Sequence, residues 1–335
     1  MLDIGAVMEL SSLSFSLNQA PQVAFPLARA GKDYQLAIMG GGPAGLTAAV
    51  YSARKRTDTV LLSHDLGGQV LWTSGVENYP GFQYIKGQEL IEKFKSQVAQ
   101  FPIDVSLGFK IISVEPLAQG YKLSLEDGSH FTARSLIIAT GKKYRNLNVP
   151  GEKELIGKGV AFCATCDAPL FGGKTVAVVG GGNSALTAAQ DLMSYAQKIF
   201  LINISSEMQG DPVLLEPLKA SGKIEFIMEH KVTEILGKDS VIGIRVSSTD
   251  DVKQREIELS GVFVEIGLIP NSDLFKGLVD MNQRGEIMVD CACRTSRGGV
   301  FAAGDVTTVP EKQIVVAAGE GAKAALSAYE WLARN

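Results

Sequence analysis

Two stretches of the chain carry one pattern of apolar and polar positions. From Gln35 a short apolar run (Leu36, Ala37, Ile38, Met39) breaks at Gly40-x-Gly42-x-x-Gly45 and resumes with Leu46, Ala49, Val50 and Ala53. A brief apolar run bounded by glycine reads as a buried strand, and the three-to-four spacing after it reads as a helix with one apolar face. From Lys174 the pattern returns in "KTVAVVGGGNSALTAAQDLM", with Gly180-x-Gly182-x-x-Ala185 and a helix face of Ala185, Ala188, Ala189, Leu192 and Met193. Strand, tight turn and helix are therefore predicted twice, 140 positions apart from Gly40 to Gly180.

Each unit closes alike: "SLIIATG" ends the first at Gly141 and "GVFVEIG" ends the second at Gly267. Beyond Pro270 come a strand-like "GGVFAAGDVTT" and a helix-forming run from Gly319 to Trp331. This tail is expected to return and complete the first unit, so that the second is inserted in it, with crossovers near Lys143 and Asn271. The predicted fold is α/β, with residues 1–33 as a loose extension, 34–142 and 272–335 as one domain, and 143–271 as the other.

The glycines have a physical reason. The first allows the tight turn, the second lets the backbone approach a pyrophosphate, and the third small residue seats the helix on its strand. The helix N-terminus then faces the phosphates. A single match opens many helices that bind nothing. Two, each between a strand and a helix, predict two Rossmann-like dinucleotide sites, one at Gly40, Gly42, Pro43, Ala44 and Gly45, the other at Gly180, Gly182, Asn183, Ser184 and Ala185.

Composition narrows the class. The chain has 335 residues, 46% hydrophobic and 20% charged, which is the balance of a globular enzyme of two ordinary domains. A net charge of −4 gives no nucleic-acid surface, and no apolar run reaches the roughly 18 residues of a membrane span. The N-terminal thirty residues lack a basic start and carry Asp3 and Glu9, so no export signal is read and a cytoplasmic location is expected.

Two of the four cysteines stand in Cys163-Ala164-Thr165-Cys166, directly followed by Asp167. Such a pair can be half of a metal site, a structural staple or a working dithiol. Zinc wants four ligands, yet there is no second CxxC, and His64, His130 and His230 stand apart, so no metal is expected. Cytosolic thiols are kept reduced, which disfavours a staple. A working dithiol opens by thiolate attack and needs a proton source nearby. Asp167 can supply one, or it can be an ordinary turn or cap acid. Cys291 and Cys293 read as buried or bystander residues.

From about Tyr34 to the C-terminus the sequence resembles the low-molecular-weight, bacterial-type thioredoxin reductases. The resemblance implies FAD on the first glycine turn, with further contacts from Gly67, Gly68, Gln69, Asn78, Ala139, Thr140, Gly141, Gly304, Asp305, Lys312, Gln313 and Ile314. It places Asp305 on the flavin ribityl chain. The segment "VPEKQIVVAAGEGAKAALSA" is similar to the reductase portion of the alkyl hydroperoxide reductase flavoproteins. Those relatives carry an additional N-terminal thioredoxin-like module with its own CxxC. None is read before Tyr34, so electrons are expected to pass to a separate thioredoxin or glutaredoxin-like protein. The resemblance further implies a homodimer, Cys166 facing the flavin, Cys163 as the interchange thiol and Asp167 as the general acid. It also implies that the inserted domain rotates on residues 140–143 and 268–271.

One stretch departs from the pattern. NADPH-using relatives end the second strand of the inserted domain with arginines for the 2′-phosphate. Here "KIFLINISSEMQGD" has none, and Asn203 occupies the strand-end position where NADH-using relatives place a Glu. NADH, NADPH, a second FAD in the inserted domain and a ferredoxin all stand as donors at this point, NADH slightly ahead. A flavin-bearing redox sensor without turnover is the reading from another class.

Overall fold

The computed structural model describes residues 25–73 and 75–335. The first unit runs β1 (Asp33–Gly41), α1 (Pro43–Arg54), β2 (Thr59–Leu66), α2 (Gly87–Val98), β3 (Asp104–Leu107), β4 (Ile111–Pro116), β5 (Tyr121–Leu125) and β6 (His130–Ile138). A short strand β7 (Lys142–Tyr144) leads to β8 (Val160–Ala161), the turn of helix α3 (Ala164–Asp167), β9 (Thr175–Val179), α4 (Asn183–Met193), β10 (Lys198–Ile202), α5 (Pro212–Ala220) and β11 (Ile224–Ile227). Then come β12 (His230–Gly237), β13 (Val241–Ser248), β14 (Gln254–Glu258), β15 (Gly261–Val264), β16 (Leu268–Pro270), β17 (Val300–Ala302) and α6 (Ile314–Arg334).

These strands make two main sheets. One orders its strands β3-β2-β1-β6-β5-β4, with β17 also pairing β6, and the other runs β11-β10-β9-β15-β8. The central strands of both are parallel. Such strands are covered on both faces, which is why they read as continuous apolar runs and not as alternating ones. On β1, Leu36 and Ile38 pack with α1 and α6, while Ala37 and Met39 face a second core around Phe131 and Phe275. The second sheet repeats this: Val176 and Val178 face α4, and Ala177 and Val179 face the antiparallel β12-β13-β14 layer.

The two chain crossings are zipped together. β7 pairs antiparallel with β16, Asn271 N–H donates to the Gly141 carbonyl at 3.0 Å, and Asn271 Nδ2 donates to the Thr140 carbonyl at 2.9 Å. The Thr140 hydroxyl in turn donates to the Asn271 carbonyl at 2.7 Å.

Two expectations need correction. The final helix begins at Ile314, five residues before the expected start, because Gln313 in extended conformation caps it and the β-branched Ile314-Val315-Val316 hides a helical start in the sequence. The loose extension lies outside the described residues up to 24. From Phe25 on it is tied down, since Leu27 bridges Val105 and Phe25 packs against the first core. Of the two cysteines outside the CxxC, Cys293 is buried and Cys291 is exposed.

Candidate active site

The first glycine turn is shaped by close approach. Gly40 has φ +113°, and a Cβ there would lie 2.2 Å from the Ala139 carbonyl oxygen; a Cβ on Gly45 would lie 1.8 Å from the Gly40 oxygen. Gly42, the N-cap of α1, faces open space, with Pro43 at the first helical position and Ala44 buried behind it. A free helix N-terminus bordered by a residue without a side chain fits a pyrophosphate. Gly68 lies alongside, its nearest approach being to the Gly42 Cα, and Gly67 N–H donates to the Gly41 carbonyl at 2.8 Å. The N-terminus of α6 faces the same crevice: Asn78 Nδ2 donates to Gln313 Oε1 at 3.1 Å, just ahead of Ile314. Gly304 packs on Ala44 and donates its N–H to Glu320 Oε2 at 2.7 Å. Beside it Asp305 is mostly enclosed, and burial raises its carboxyl pKa while Lys312 and Lys142 oppose that rise.

Not every residue expected to touch a cofactor is free to do so. Gln69 Nε2 donates to the Lys142 carbonyl, Thr140 is occupied with Asn271, and Lys312 Nζ donates to the Thr307 carbonyl at 2.7 Å. Gly141, at φ +65°, serves the crossover. Gln69 and Thr140 thereby tie the crevice at the first turn to the β7–β16 ribbon, and Lys312 holds the loop before α6. Sequence reasoning missed the buried pair beneath them, Lys142 and Glu286, in which Asn282 and Lys312 also hold the carboxylate. Lys142 stood in view inside the hinge stretch, but no spacing pointed to Glu286.

The second turn reproduces the first. Gly180 has φ +149° with a Cβ position 2.3 Å from the Glu265 carbonyl oxygen, Ala185 is buried, and Gly182 at the α4 N-cap faces open space. Asn183 Oδ1 accepts the Asp211 N–H at 2.7 Å, and Ser184 follows in the exposed first turn. Gln209 and Gly210 donate backbone N–H bonds to the Gly181 carbonyl at 2.8 and 3.1 Å, so the segment after β10 folds over the glycine turn. Asn203 sits at the end of β10 and is 4% exposed. Its Nδ2 donates to the Glu207 carbonyl at 2.9 Å. The amide is engaged largely with its own loop.

Cys163 and Cys166 are disulfide-bonded, with Cα atoms 5.3 Å apart, and both sulfur residues are half-buried. Cys163 caps the short helix α3, whose first bonds run from Cys166 N–H and Asp167 N–H to the Cys163 carbonyl at 3.3 and 3.0 Å. Asp167 is buried, its Oδ1 has no hydrogen-bond partner, and desolvation pushes its carboxyl up to about 7. A carboxyl that carries its proton near neutrality beside a disulfide has the chemistry of a general acid. Across the units, Phe162 stacks on Tyr144 of the hinge at 4.6 Å between centroids, and Trp72 of the first unit lies 6.4 Å from each. Burial raises the Tyr144 phenol, aided by the negative charges of Asp305, Glu265 and Asp167. The disulfide thus belongs to the inserted unit and stands near the seam with the first.

Two dinucleotide turns joined by a hinge and sharing one disulfide define a disulfide oxidoreductase of the two-nucleotide class. The profile of the pyridine nucleotide-disulphide oxidoreductases matches residues 34–321, and the chain belongs to that family of flavin disulfide oxidoreductases. The family works with FAD and a nicotinamide nucleotide. The chain is 44% identical over 305 residues to the F component of the alkyl hydroperoxide reductase of Pseudomonas putida, covering 90% of this chain and 59% of the relative. It spans about three fifths of the length of the curated relatives it matches. Among solved structures, thioredoxin reductase of Streptococcus pyogenes MGAS5005 is 33% identical with a TM-score of 0.85, covering 90% of this chain and 99% of that one. Lactococcus lactis thioredoxin reductase in its FR conformation has nearly the same identity, 32%, and covers 90% of this chain and 100% of that one, yet its TM-score is 0.63.

Proposed function

We propose that the chain passes electrons through FAD in the first unit to the Cys163/Cys166 dithiol, and from there to the disulfide of a separate thioredoxin or glutaredoxin-like protein. The observation that carries this reading is the half-exposed disulfide at the seam of the units, with the buried Asp167 carboxyl beside it, whose Oδ1 has no hydrogen-bond partner. Bound FAD would supply the two-electron relay between donor and disulfide. The residues to hold it are Gly40, Gly42, Gly45, Gly67, Gly68, Asn78, Gly304, Asp305, Gln313 and Ile314. Residues 34–142 with 272–335 form the FAD-binding domain, and 143–271 the inserted domain that carries the dithiol.

In the reduced protein the Cys163 thiolate attacks one sulfur of the partner disulfide, forming a mixed disulfide and releasing the partner's other sulfur as a thiolate. Cys166 then attacks Cys163 Sγ, which re-forms the Cys163–Cys166 bond and frees the second partner sulfur. Asp167 gives its proton to a leaving thiolate and recovers one from water. The hinge ribbon of β7 and β16 lets the inserted domain turn, so that the dithiol and the second nucleotide site take the flavin in turn. The fall in TM-score between two relatives of nearly equal identity supports such a rearrangement.

NADH is the favoured donor, used slowly. An uncharged, enclosed Asn203 and a strand-end stretch without arginine support it. A second FAD or a ferredoxin is the alternative, and the working form is a homodimer. Steady-state reduction of a thioredoxin by NADH or NADPH tests the reading. A flavin-loaded protein that reduces no protein disulfide with any donor would make it a redox sensor instead.

A further inference from the structure

The duplicated turns differ in the residue whose carbonyl packs against the first glycine. In the first unit the carbonyl packed against Gly40 belongs to Ala139, a methyl side chain inside the core. In the second unit the carbonyl packed against Gly180 belongs to Glu265. A carboxyl therefore stands where the sister unit needs only a methyl group. It does not point into bulk water: it lies against the backbone N–H of Ala164, the residue after Cys163. Thr165 in the same turn donates to Asp191 Oδ2 at 2.8 Å, and Asp191 is the charge that acts on Glu265.

We propose that Glu265 is a positioning residue of the dithiol: its carboxyl, seated against the Cys163-Ala164-Thr165-Cys166 turn, sets how readily the disulfide is reduced, by presenting a neutral group there at low pH and a negative charge at high pH. The titratable groups that face it are Asp191 on α4 and Tyr144 on β7, together with the Cys163–Cys166 pair whose turn it touches at Ala164; Asp167, at the end of α3, shares Tyr144 as a neighbour. Burial, reinforced by Asp191, pushes its carboxyl up to about 8. Reduction breaks the S–S bond and adds two electrons, leaving two sulfurs that are thiolates until they bind protons. An ionised Glu265 repels the forming thiolate, so it must take up a proton or oppose reduction. Below its ionisation it does neither.

The inference rests on the dithiol reading above, and the test separates the two. Flavin-loaded wild type and Glu265→Gln are brought to redox equilibrium with mixtures of reduced and oxidised dithiothreitol at pH 6.5 and at pH 9. The reduced fraction is read by alkylation of Cys163 and Cys166 in the mass spectrum, with flavin absorbance as the check on folding. The ratio of the variant's reduction constant to that of wild type should rise about fivefold between the two pH values, the effect of one unit of coupling between a thiolate and a carboxyl that ionises at about 8. Glu265→Ala, which restores the methyl group of the sister unit, should show the same rise and serves if the amide does not fold. A ratio independent of pH in the variants overturns the role of Glu265. Failure of wild type to form an alkylatable pair at either pH overturns the dithiol reading itself.

Discussion

The two glycine turns share one backbone and differ in what their borders carry. Around Gly40 the neighbours are small or apolar, and the polar groups gather farther out, at Asp305 and at the α6 N-terminus. Around Gly180 the neighbours are Glu265, an enclosed Asn203 and a loop bonded back on Gly181, with the disulfide turn just beyond. A duplicated backbone thus fixes two places for a dinucleotide, while unequal side chains give the two places different borders: a small, apolar one at Gly40 and a polar one next to the disulfide at Gly180. The comparison also says where each unit should fail.

The largest effect is expected in the inserted unit. Cys163→Ser and Cys166→Ser should each abolish reduction of a protein disulfide while leaving flavin absorbance intact, since each removes half of the exchanging pair. Cys166→Ser should trap a mixed disulfide with the partner and Cys163→Ser should not; nonreducing electrophoresis reads this directly. The opposite pattern would exchange the two roles.

Next comes Asp167→Asn, expected to lower turnover about a hundredfold with the flavin unaffected, the usual weight of a positioned general acid. Its stability has a definite sign. The carboxyl sits near 3.8 when unfolded and about 7 when folded, so the folded state holds a proton that the unfolded state has lost. The stability from that proton is full below about pH 4 and is lost as pH rises through 7. Melting temperatures of wild type should therefore fall more between pH 5 and pH 8 than those of Asp167→Asn. Equal falls would mean that the carboxyl is not held protonated.

In the first unit the corresponding change is Asp305→Ala. It should leave the dithiol alkylatable after chemical reduction yet let flavin wash out on desalting, because Asp305 is an enclosed carboxyl beside the α1 and α6 termini with no described hydrogen-bond partner inside the protein. Flavin retained at the wild-type level would move the cofactor's polar anchor elsewhere.

Much of this was legible in the sequence because it repeats. Two apolar runs broken by glycine at equal spacing specify strands buried on both faces, and the CxxC with its following acid announces chemistry in a chain poor in cysteine. What stayed hidden depends on contacts distant in sequence. Nothing near Lys142 names Glu286, 144 residues away, and nothing near Cys163 names Glu265. The start of α6 was hidden for a local reason, β-branched residues in a helical first turn whose place is fixed by packing on α1. Gln69, Thr140 and Lys312 were expected to touch a cofactor, but in the structure their polar atoms bond to the Lys142 carbonyl, to Asn271 and to the loop before α6, a distinction that only three-dimensional neighbours make.

The smallest expected effect is a difference that fails to appear. A 2′-phosphate is worth recognising only through charge-assisted hydrogen bonds, each about 1.5–3 kcal/mol, and the β10 end offers an amide in their place. NADH and NADPH should therefore reduce the flavin at rates within tenfold of each other, both slowly, in stopped-flow absorbance. Asn203→Glu should then favour NADH by about fivefold, since replacing a neutral acceptor by a carboxylate at the ribose adds about 1 kcal/mol while repelling the phosphate. Part of that gain will be offset, because Asn203 Nδ2 also holds the Glu207 carbonyl and the loop over Gly181. A preference for NADPH above tenfold in wild type would place basic residues from outside residues 198–211 at the phosphate. No reduction by either would turn the question to the number of flavins per chain: two would seat the second on Gly180 and Gly182, and one would leave a protein donor to feed the first unit directly.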